Sequence, residues 1–469
     1  MKKMRCVPIY LTLATMIAVS VLAEPALPAT RSKGGAECGP KDQPETGLQG
    51  QVPLADQLSG RSQEPYFCGL TLVGQNSIED RGNNHQLTWW KTGKTTCAYF
   101  GTLDRNVNDP LSGVAVLDVS DPADPQVKTI LRDPGTVNTV ETLQAKSGIL
   151  LAKGNSTAPT DHQYEASAIY LAVYDISKDC LRPRLKSSFE LPGQSHGGGL
   201  SPDGKTVYAQ SFAGGVTYVV DISNPSRPKL LLEAPFSSHD LAFNLDGTRV
   251  YFADGQIFDT SSIQHRRPNP EMRLIGQTIP PAGGHTVVYA RVKGRPYLLT
   301  SKETFRNGYC DTTGTNVLNF DLSHEKTPVL VSEFRLEVNE PENCTQAVTE
   351  DGTTYGSHYG SVDNPRDATF AMWTWFSSGT RIIDIRDILH PKEVAYYNPG
   401  ASDNPSTLST SSPVLGLFCK PVMVDCSTAY PQFIPHTGHI WTAAGKTGFL
   451  VLELQPQVKA ALGLNGTRR

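Results

Sequence analysis

The amino-acid sequence predicts an all-β fold, a seven-bladed β-propeller of four-stranded antiparallel blades that is closed by an N-terminal strand. Two observations carry this prediction: a strand-and-turn phrase that recurs along the chain, and a composition rich in turn formers. Glycine (41) and proline (34) far outnumber methionine (6) among 469 residues, which indicates short elements and excludes a helical bundle. The formal charge of −4, from 42 basic and 46 acidic residues, argues against nucleic acid as a partner.

The recurring phrase is an apolar strand that ends in Asp, followed by a Ser- or Pro-rich turn. Its copies lie at 113–122, 171–177, 215–225, 316–323 and 379–387, with a weaker copy at 255–261 and a truncated one at 448–454. Alternating Val and Ile residues are typical of half-buried strands, and the prolines end the ladder. A second hairpin precedes the phrase, clearest at Asp203-Gly204, so each unit supplies four strands. Seven such units between about 84 and 454 predict a propeller.

The two ends of the repeat region complement each other. The last unit stops at Leu454 without a fourth strand, and an unassigned apolar strand at 70–74 precedes the first unit. We predict that these two segments pair, because closure of the ring removes an exposed edge. The predicted organisation is a signal peptide at 1–23, an irregular N-terminal arm at 24–64, the propeller at 65–455 and a C-terminal tail at 456–469.

The phrase at 113–125, Gly-Val-Ala-Val-Leu-Asp-Val-Ser-Asp-Pro-Ala-Asp-Pro, resembles the LVIVD repeat of secreted bacterial β-propeller proteins. The copies at 215–228 and 379–391 are similar to it, and the resemblance covers most of residues 84–454. It implies a propeller fold. It implies no particular activity, because one fold hosts many functions.

The first residues predict export. Basic residues at 2, 3 and 5 precede an apolar run at 7–21 and small residues that end at Ala23, which is the pattern of a cleaved signal peptide. A single membrane anchor is the alternative, but the run is short and lacks a basic flank. No later apolar run approaches 18 residues, so we expect no membrane insertion after cleavage. The expected location is periplasmic or secreted.

Eight cysteines remain after removal of Cys6, and an even number in an oxidising compartment favours disulfides. Cys419 and Cys426 are close enough in sequence to close a small loop. Cys310 and Cys344 flank one strand pair and are the other candidate pair. The connectivity of the remaining four stays open.

Five of the eleven histidines fall at one equivalent position when the units are overlaid. His85, His196 and His239 each lie eight residues before a turn glycine, at Gly93, Gly204 and Gly247. His285 and His358 lie four residues before the strand positions that match Leu200. The position begins the innermost strand, so the five imidazoles are expected to converge near the propeller axis. Glu141 lies near the equivalent place in the second unit and adds a carboxylate.

Three interpretations of these six side chains stay open. In the first interpretation, the six side chains hold a transition-metal ion, because neutral imidazole is the common ligand of Zn, Cu and Fe. Alternatively, the histidines clasp neighbouring blades through backbone hydrogen bonds, or they form a metal-free binding or acid–base site. The expected function is a scaffold that binds a small molecule or protein at its face or channel, which matches the clasp. The alternatives are a Cu- or Fe-dependent oxidoreductase, which matches the metal site, and a metal-free enzyme acting on an organic substrate. The sequence by itself identifies no cofactor beyond one candidate ion, Cu, Fe or Zn.

The aspartates that end the repeated phrase are predicted to be turn caps and not catalytic pairs, because each has a fixed place in its repeat. They are Asp118, Asp175, Asp221, Asp259, Asp321 and Asp384.

Overall fold

The structure is a computed structural model that describes residues 30–31, 34–82, 84–103, 107–154, 168–193, 195–211, 214–303, 316–344, 354–401 and 425–464. The predicted signal peptide lies outside these residues. The first described elements lie in the arm or directly after it. In the arm they are β1 (Thr30–Arg31), α1 (Leu54–Ser59) and a 3-10 turn (Arg61–Gln63), and after it come β2 (Tyr66–Cys68) and β3 (Leu70–Asn76).

Seven sheets follow one another along the chain, and in six of them four antiparallel strands run in sequential order. Strand β1 adds a parallel fifth strand to one of these six sheets, and β2 adds an antiparallel fifth strand to another. Blade 1 is β4 (Asn84–Thr92), β5 (Thr95–Thr102), β6 (Val114–Asp118) and β7 (Gln126–Leu131). Blade 2 is β8 (Thr139–Lys146), β9 (Ile149–Gly154), β10 (Ala168–Asp175) and β11 (Arg184–Pro192). Blade 3 is β12 (Ser195–Leu200), β13 (Thr206–Ser211), β14 (Val216–Asp221) and β15 (Lys229–Ala234).

The next three blades follow the same plan. Blade 4 is β16 (Leu241–Phe243), β17 (Arg249–Phe252), β18 (Gln256–Asp259) and β19 (Arg273–Gln277), with the short helix α2 (Ser261–Gln264) between the last two strands. Blade 5 is β20 (Thr286–Val292), β21 (Arg295–Ser301), β22 (Val317–Asp321) and β23 (Val329–Phe334), followed by a 3-10 turn (Glu337–Asn339). Blade 6 is β24 (Ser357–Val362), β25 (Phe370–Trp375), β26 (Gly379–Asp384) and β27 (Lys392–Asn398).

Blade 7 is built from both ends of the repeat region. Its strands are β28 (Gln432–Ile434), β29 (His439–Ala444), β30 (Gly448–Leu454) and, at the outer edge, β3. The antiparallel register pairs Leu70 with Leu454 and Asn76 with Phe449. The predicted closure by the N-terminal strand is therefore confirmed, together with the seven-bladed fold.

The first strand of each blade contacts the first strand of the next, and β28 contacts β4, so the inner strands form a closed ring. Seven hydrophobic clusters fill the interfaces between successive blades. Trp373 packs between blades 5 and 6, and Trp89 packs between blades 7 and 1. The hydrophobic core therefore consists of the seven blade interfaces, which surround the axis.

The aspartates of the repeated phrase cap the turns as predicted. Each carboxylate accepts a hydrogen bond from the backbone N–H two residues later, at 2.7 to 3.0 Å, in all six copies. This bond shapes the turn between the third and fourth strands.

The segments outside the repeats pack against the ring. The Arg381 guanidinium of blade 6 is buried between Glu45 of the arm and Glu393, which lies 3.1 Å away. The segment predicted as a C-terminal tail contains α3 (Pro456–Ala461), and Val458 and Leu462 pack into the interface between blades 6 and 7. No helix in the described part of the chain is long and apolar enough to cross a bilayer.

Two disulfides connect described residues. Cys38–Cys68 joins the arm to β2, and Cys97–Cys180 joins blade 1 to blade 2. Cys344 and Cys426 are also disulfide-bonded. Cys310 and Cys419 lie outside the described part of the chain. The two candidate pairs from the sequence therefore remain predictions.

We expect the Cys97→Ala/Cys180→Ala double variant to lower the free energy of unfolding by about 2–5 kcal/mol, because this bond closes an 83-residue loop. The Cys38→Ala/Cys68→Ala pair is the matched control. It closes a 30-residue loop, so its loop-entropy contribution is smaller by about 1 kcal/mol. Denaturant unfolding followed by circular dichroism measures both. Equal losses, or no loss for the longer loop, would contradict this account.

Candidate functional site

The six side chains predicted from the overlay lie at the start of the first strands of blades 1 to 6, or just before them. In chain order they are His85, Glu141, His196, His239, His285 and His358. Five of them are buried and His239 is partly buried. The ring of inner strands brings all six together at the axis, and the distances below define the axial cluster.

Bulges in the inner strands direct these side chains. The pairing register breaks between His85 and Leu87, and again around Glu141, around His196 and around His358. Glu141 itself has φ of 54°. A bulge turns a side chain out of its alternating pattern, and positive φ in a residue other than Gly costs of order 1 kcal/mol or more. The inner strands therefore lack regular antiparallel hydrogen bonding near the axis.

Glu141 lies at the centre of the cluster. Its Oε2 atom is 3.1 Å from Nε2 of His196 and 3.3 Å from Nε2 of His239, and those two nitrogens are 2.5 Å apart. Its Oε1 atom is 3.6 Å from Nε2 of His285. One carboxylate thus faces three imidazoles from three different blades.

Glu303 is a second carboxylate in the cluster, and the sequence analysis missed it. It follows β21, the second strand of blade 5, so the overlay of first strands could not include it. Its Oε2 atom is 3.6 Å from Nε2 of His285, and its Oε1 atom is 3.7 Å from Nε2 of His358. The axial cluster therefore contains five imidazoles and two carboxylates.

Three overlapping groups of ligand atoms have the spacing of metal-binding sites. Within each group, the atoms lie no more than 4.8 Å from one another. The groups are His85–Glu141–His358, Glu141–His196–His239 and His239–His285–Glu303. A tetrahedral ion with bonds of about 2.0–2.1 Å places its nitrogen ligands about 3.3 Å apart. The His196 and His239 rings would separate slightly to admit an ion.

Burial and charge set the protonation of the cluster. Burial by itself would raise the pKa of Glu141, but the surrounding His196, His239 and His285 outweigh it and hold this pKa well below its usual value. Burial raises the pKa of Glu303 to about 7. Burial lowers the pKa of His85 to about 4 and that of His358 well below its usual range. Burial lowers the pKa of His285, but the carboxylates of Glu303 and Glu141 outweigh it and raise this pKa above its usual value. The Glu141 carboxylate is therefore anionic, the His85 and His358 imidazoles are neutral, and His285 holds its proton more readily than they do. A cation would displace that proton, because a metal binds the deprotonated ring nitrogen.

Lys153 lies beside the cluster on β9 and is fully buried. Its Nζ donates a hydrogen bond to the Gly197 carbonyl, and burial lowers its pKa to about 7. The sequence analysis did not identify this lysine, because it lies on a second strand and the overlay compared first strands only.

Aromatic rings and a carboxylate separate the cluster from one mouth of the channel. The Tyr359 ring lies 4.1 Å from the His358 ring and 4.0 Å from the Tyr430 ring, centroid to centroid. The Tyr430 hydroxyl donates to Oδ2 of Asp240 at 2.7 Å. Asp240 belongs to none of the three metal-spaced groups.

Two of the histidines interact with the backbone of the next blade, as the clasp interpretation expects. The His239 imidazole interacts with the backbone of His285 in the next blade, and the His85 imidazole with the backbone of Thr139. The His285 ring instead lies 3.1 Å, Nδ1 to Oγ1, from Thr286 in its own blade. A ring nitrogen bonded to a carbonyl fixes the tautomer and leaves the other nitrogen for a ligand. The clasp and a metal site are therefore compatible.

Cavities open at both mouths of the channel. A cavity of about 250 Å³ borders the cluster directly and is lined by His239, His285, Glu303 and Ser238 among others. A larger cavity of about 710 Å³ lies at the mouth of the channel next to Tyr430. Its lining includes Trp89, Trp90, Phe243, Tyr289, Lys146 and Asp240. The small cavity gives polar molecules a route to the cluster.

The fold and the axial cluster define the class of this protein: a seven-bladed β-propeller with buried imidazoles and carboxylates around its axis. Residues 213–233 match the family model of the LVIVD repeat. An LVIVD repeat is therefore present in blade 3, and the resemblance noted in the sequence is confirmed there.

Solved structures with similar folds come from several bacteria. A functionally unknown protein from Desulfotomaculum acetoxidans is 12% identical, with 67% of this chain and 84% of that chain covered and a TM-score of 0.44. The periplasmic gluconolactonase of Pseudomonas aeruginosa is 11% identical (79% and 97% covered, TM-score 0.47), and a protein from Lactobacillus plantarum is 10% identical (76% and 94%, 0.48). Similarities this distant assign no function to this chain. No curated protein matches it.

We expect Gly197→Ala to disturb the cluster without touching any of its side chains. Gly197 has φ of 49°, and a Cβ atom there would collide with the His239 carbonyl. The matched control is Gly215→Ala, which has φ of 65° but open space around the added carbon. Strain alone costs about 1 kcal/mol, and the collision adds about 1–3 kcal/mol more for Gly197. Thermal unfolding of both variants measures the difference, and equal losses would contradict the close approach.

Proposed function

We propose that this protein is an exported metal-binding β-propeller whose axial cluster holds a first-row transition metal. The observation that carries the proposal is the convergence of five imidazoles and two carboxylates from six blades on one buried volume. Imidazole and carboxylate together suit Zn²⁺, Fe²⁺ and Cu²⁺. No cysteine joins these groups in the described part of the chain, which favours divalent ions over Cu⁺.

Unsatisfied polar atoms in the cluster support a cation. Nδ1 of His85 and Nδ1 of His358 are buried and make no hydrogen bond to any described residue. Each such atom costs about 1–3 kcal/mol when it has no partner. A metal ion bound to the nitrogens and the Glu141 carboxylate would recover this cost and compensate the buried negative charge.

The enzymatic form of this proposal is a metal-dependent oxidoreductase. The cavity of about 250 Å³ meets the cluster at His239, His285 and Glu303, so a small polar molecule entering it would reach the coordination sphere. Catalytic metal sites keep such an open position, whereas structural sites are closed. When bound, the metal would supply Lewis-acid or redox chemistry, while the protein orients the ligands and excludes bulk water.

A second candidate function is the binding of a small molecule or protein without catalysis. The larger cavity supports it, because Trp90, Phe243 and Tyr289 give it aromatic walls and Asp240 supplies a buried polar group. Aromatic walls with a few placed polar groups are typical of ligand pockets.

We place the protein in the periplasm or outside the cell. Its two described disulfides fit an oxidising compartment, and its first 23 residues have the pattern of a signal peptide.

We expect protein purified from its native compartment and dialysed to retain near-stoichiometric Fe, Cu or Zn by elemental analysis. The His196→Ala/His239→Ala variant retains less metal than the wild-type protein, because it removes two of the three members of one group. His324→Ala, an exposed histidine in a surface turn, is the control and retains it. Circular dichroism verifies that both variants are folded.

Chelation provides a second readout of the same proposal. An ion that binds only the folded state stabilises it by about 4 kcal/mol at a thousand times its Kd, so a chelator lowers the melting temperature of the native protein and the His324→Ala control. It lowers the melting temperature of His196→Ala/His239→Ala by less, because this variant holds less metal. Wild-type protein that retains no metal, even after incubation with each ion, would overturn the proposal.

A further inference from the structure

We infer that the axial cluster holds two metal ions, with Glu141 as the carboxylate that bridges them. This inference rests on the proposed function, since it specifies how many ions the same cluster binds. It goes beyond a single site because two of the three metal-spaced groups at the axis have only Glu141 in common.

The two sets have no histidine in common. One set is Glu141 with His196 and His239, and the other is Glu141 with His85 and His358. Within each set the ligand atoms are mutually within 4.8 Å, but none of the metal-spaced groups in the described residues contains both His85 and His196. Opposite ligands on one ion are at most about 4.2 Å apart when bonds are about 2.0–2.1 Å. Five imidazoles spread in this way exceed what one ion can bind.

The orientation of Glu141 suits a bridge. Its Oε2 atom faces His196 at 3.1 Å and His239 at 3.3 Å, whereas its Oε1 atom faces His285 at 3.6 Å. The two oxygens therefore point at imidazoles of different blades. A carboxylate in this position can bind one ion through each oxygen, at the separation of about 3.5–4 Å that is common in two-metal sites.

Glu303 and His285 lie where they can complete the coordination of the two ions. His285 Nε2 is 3.6 Å from an oxygen of each carboxylate, and Glu303 Oε1 is 3.7 Å from Nε2 of His358. The two carboxylates also supply two negative charges against two divalent cations. The remaining positive charge would be reduced by a hydroxide or an anionic ligand from the cavity that Glu303 borders.

The test is a titration of metal-free protein with Co²⁺ alone, followed by visible absorption, elemental analysis after desalting and electron paramagnetic resonance. We expect two Co²⁺ per chain, with an absorption end point at two equivalents and magnetic coupling between the ions. The His324→Ala control is expected to bind two as well.

Paired variants assign the ions to the two sets. His196→Ala/His239→Ala and His85→Ala/His358→Ala are each expected to bind one Co²⁺ without magnetic coupling. If an alanine pair does not fold, the corresponding Gln pair replaces it, because Gln keeps the side-chain volume. Glu141→Gln is expected to lose the coupling and to weaken binding of at least one ion by tenfold or more.

The outcomes separate this inference from the proposed function. One Co²⁺ per wild-type chain, lost in both histidine pairs, would overturn the two-ion arrangement and leave a single-metal site standing. Two ions that both persist in either histidine pair would overturn it as well. No bound Co²⁺ in the wild-type protein would count against both proposals.

Discussion

Closure of the ring is the constraint on which the rest of the structure depends. Strand β3 pairs with β30 and completes blade 7, so the two ends of the repeat region are joined in one sheet. Once the ring is closed, the seven inner strands surround a single axis at fixed spacing. Residues that are hundreds of positions apart in sequence, such as His85 and His358, then become neighbours. A site assembled in this way depends on the whole ring and not on any one blade.

The axis differs physically from the rest of the interior. Aliphatic and aromatic side chains fill the seven blade interfaces, whereas the centre holds imidazoles, two carboxylates and Lys153. Burial of such groups costs free energy unless each finds a partner. The inner strands also give up regular pairing around Glu141 and His196. Natural proteins retain such destabilising features mainly where the arrangement serves a function. Cation binding would offset much of this free-energy cost.

The sequence predicted the fold and most of the cluster because both follow a repeat. The alternating strands and the Asp that ends each phrase identified the blades, and a constant distance from turn glycines identified His85, His196 and His239. Lys153 lies on a second strand and Glu303 follows one, and no residue recurs at these positions from repeat to repeat. Only the three-dimensional structure therefore shows them beside the axis. Disulfide partners such as Cys97 and Cys180 were likewise unpredictable, because 83 residues separate them and blade packing alone brings them together.

The most direct measurement is X-ray diffraction from crystals of the metal-loaded protein, with data collected on both sides of the absorption edge of the bound element. Our account predicts anomalous-difference density on the propeller axis, next to the Glu141 carboxylate and within about 2.0–2.2 Å of histidine nitrogens. Density confined to the protein surface, or an axis without anomalous signal in crystals that contain stoichiometric metal, would contradict it.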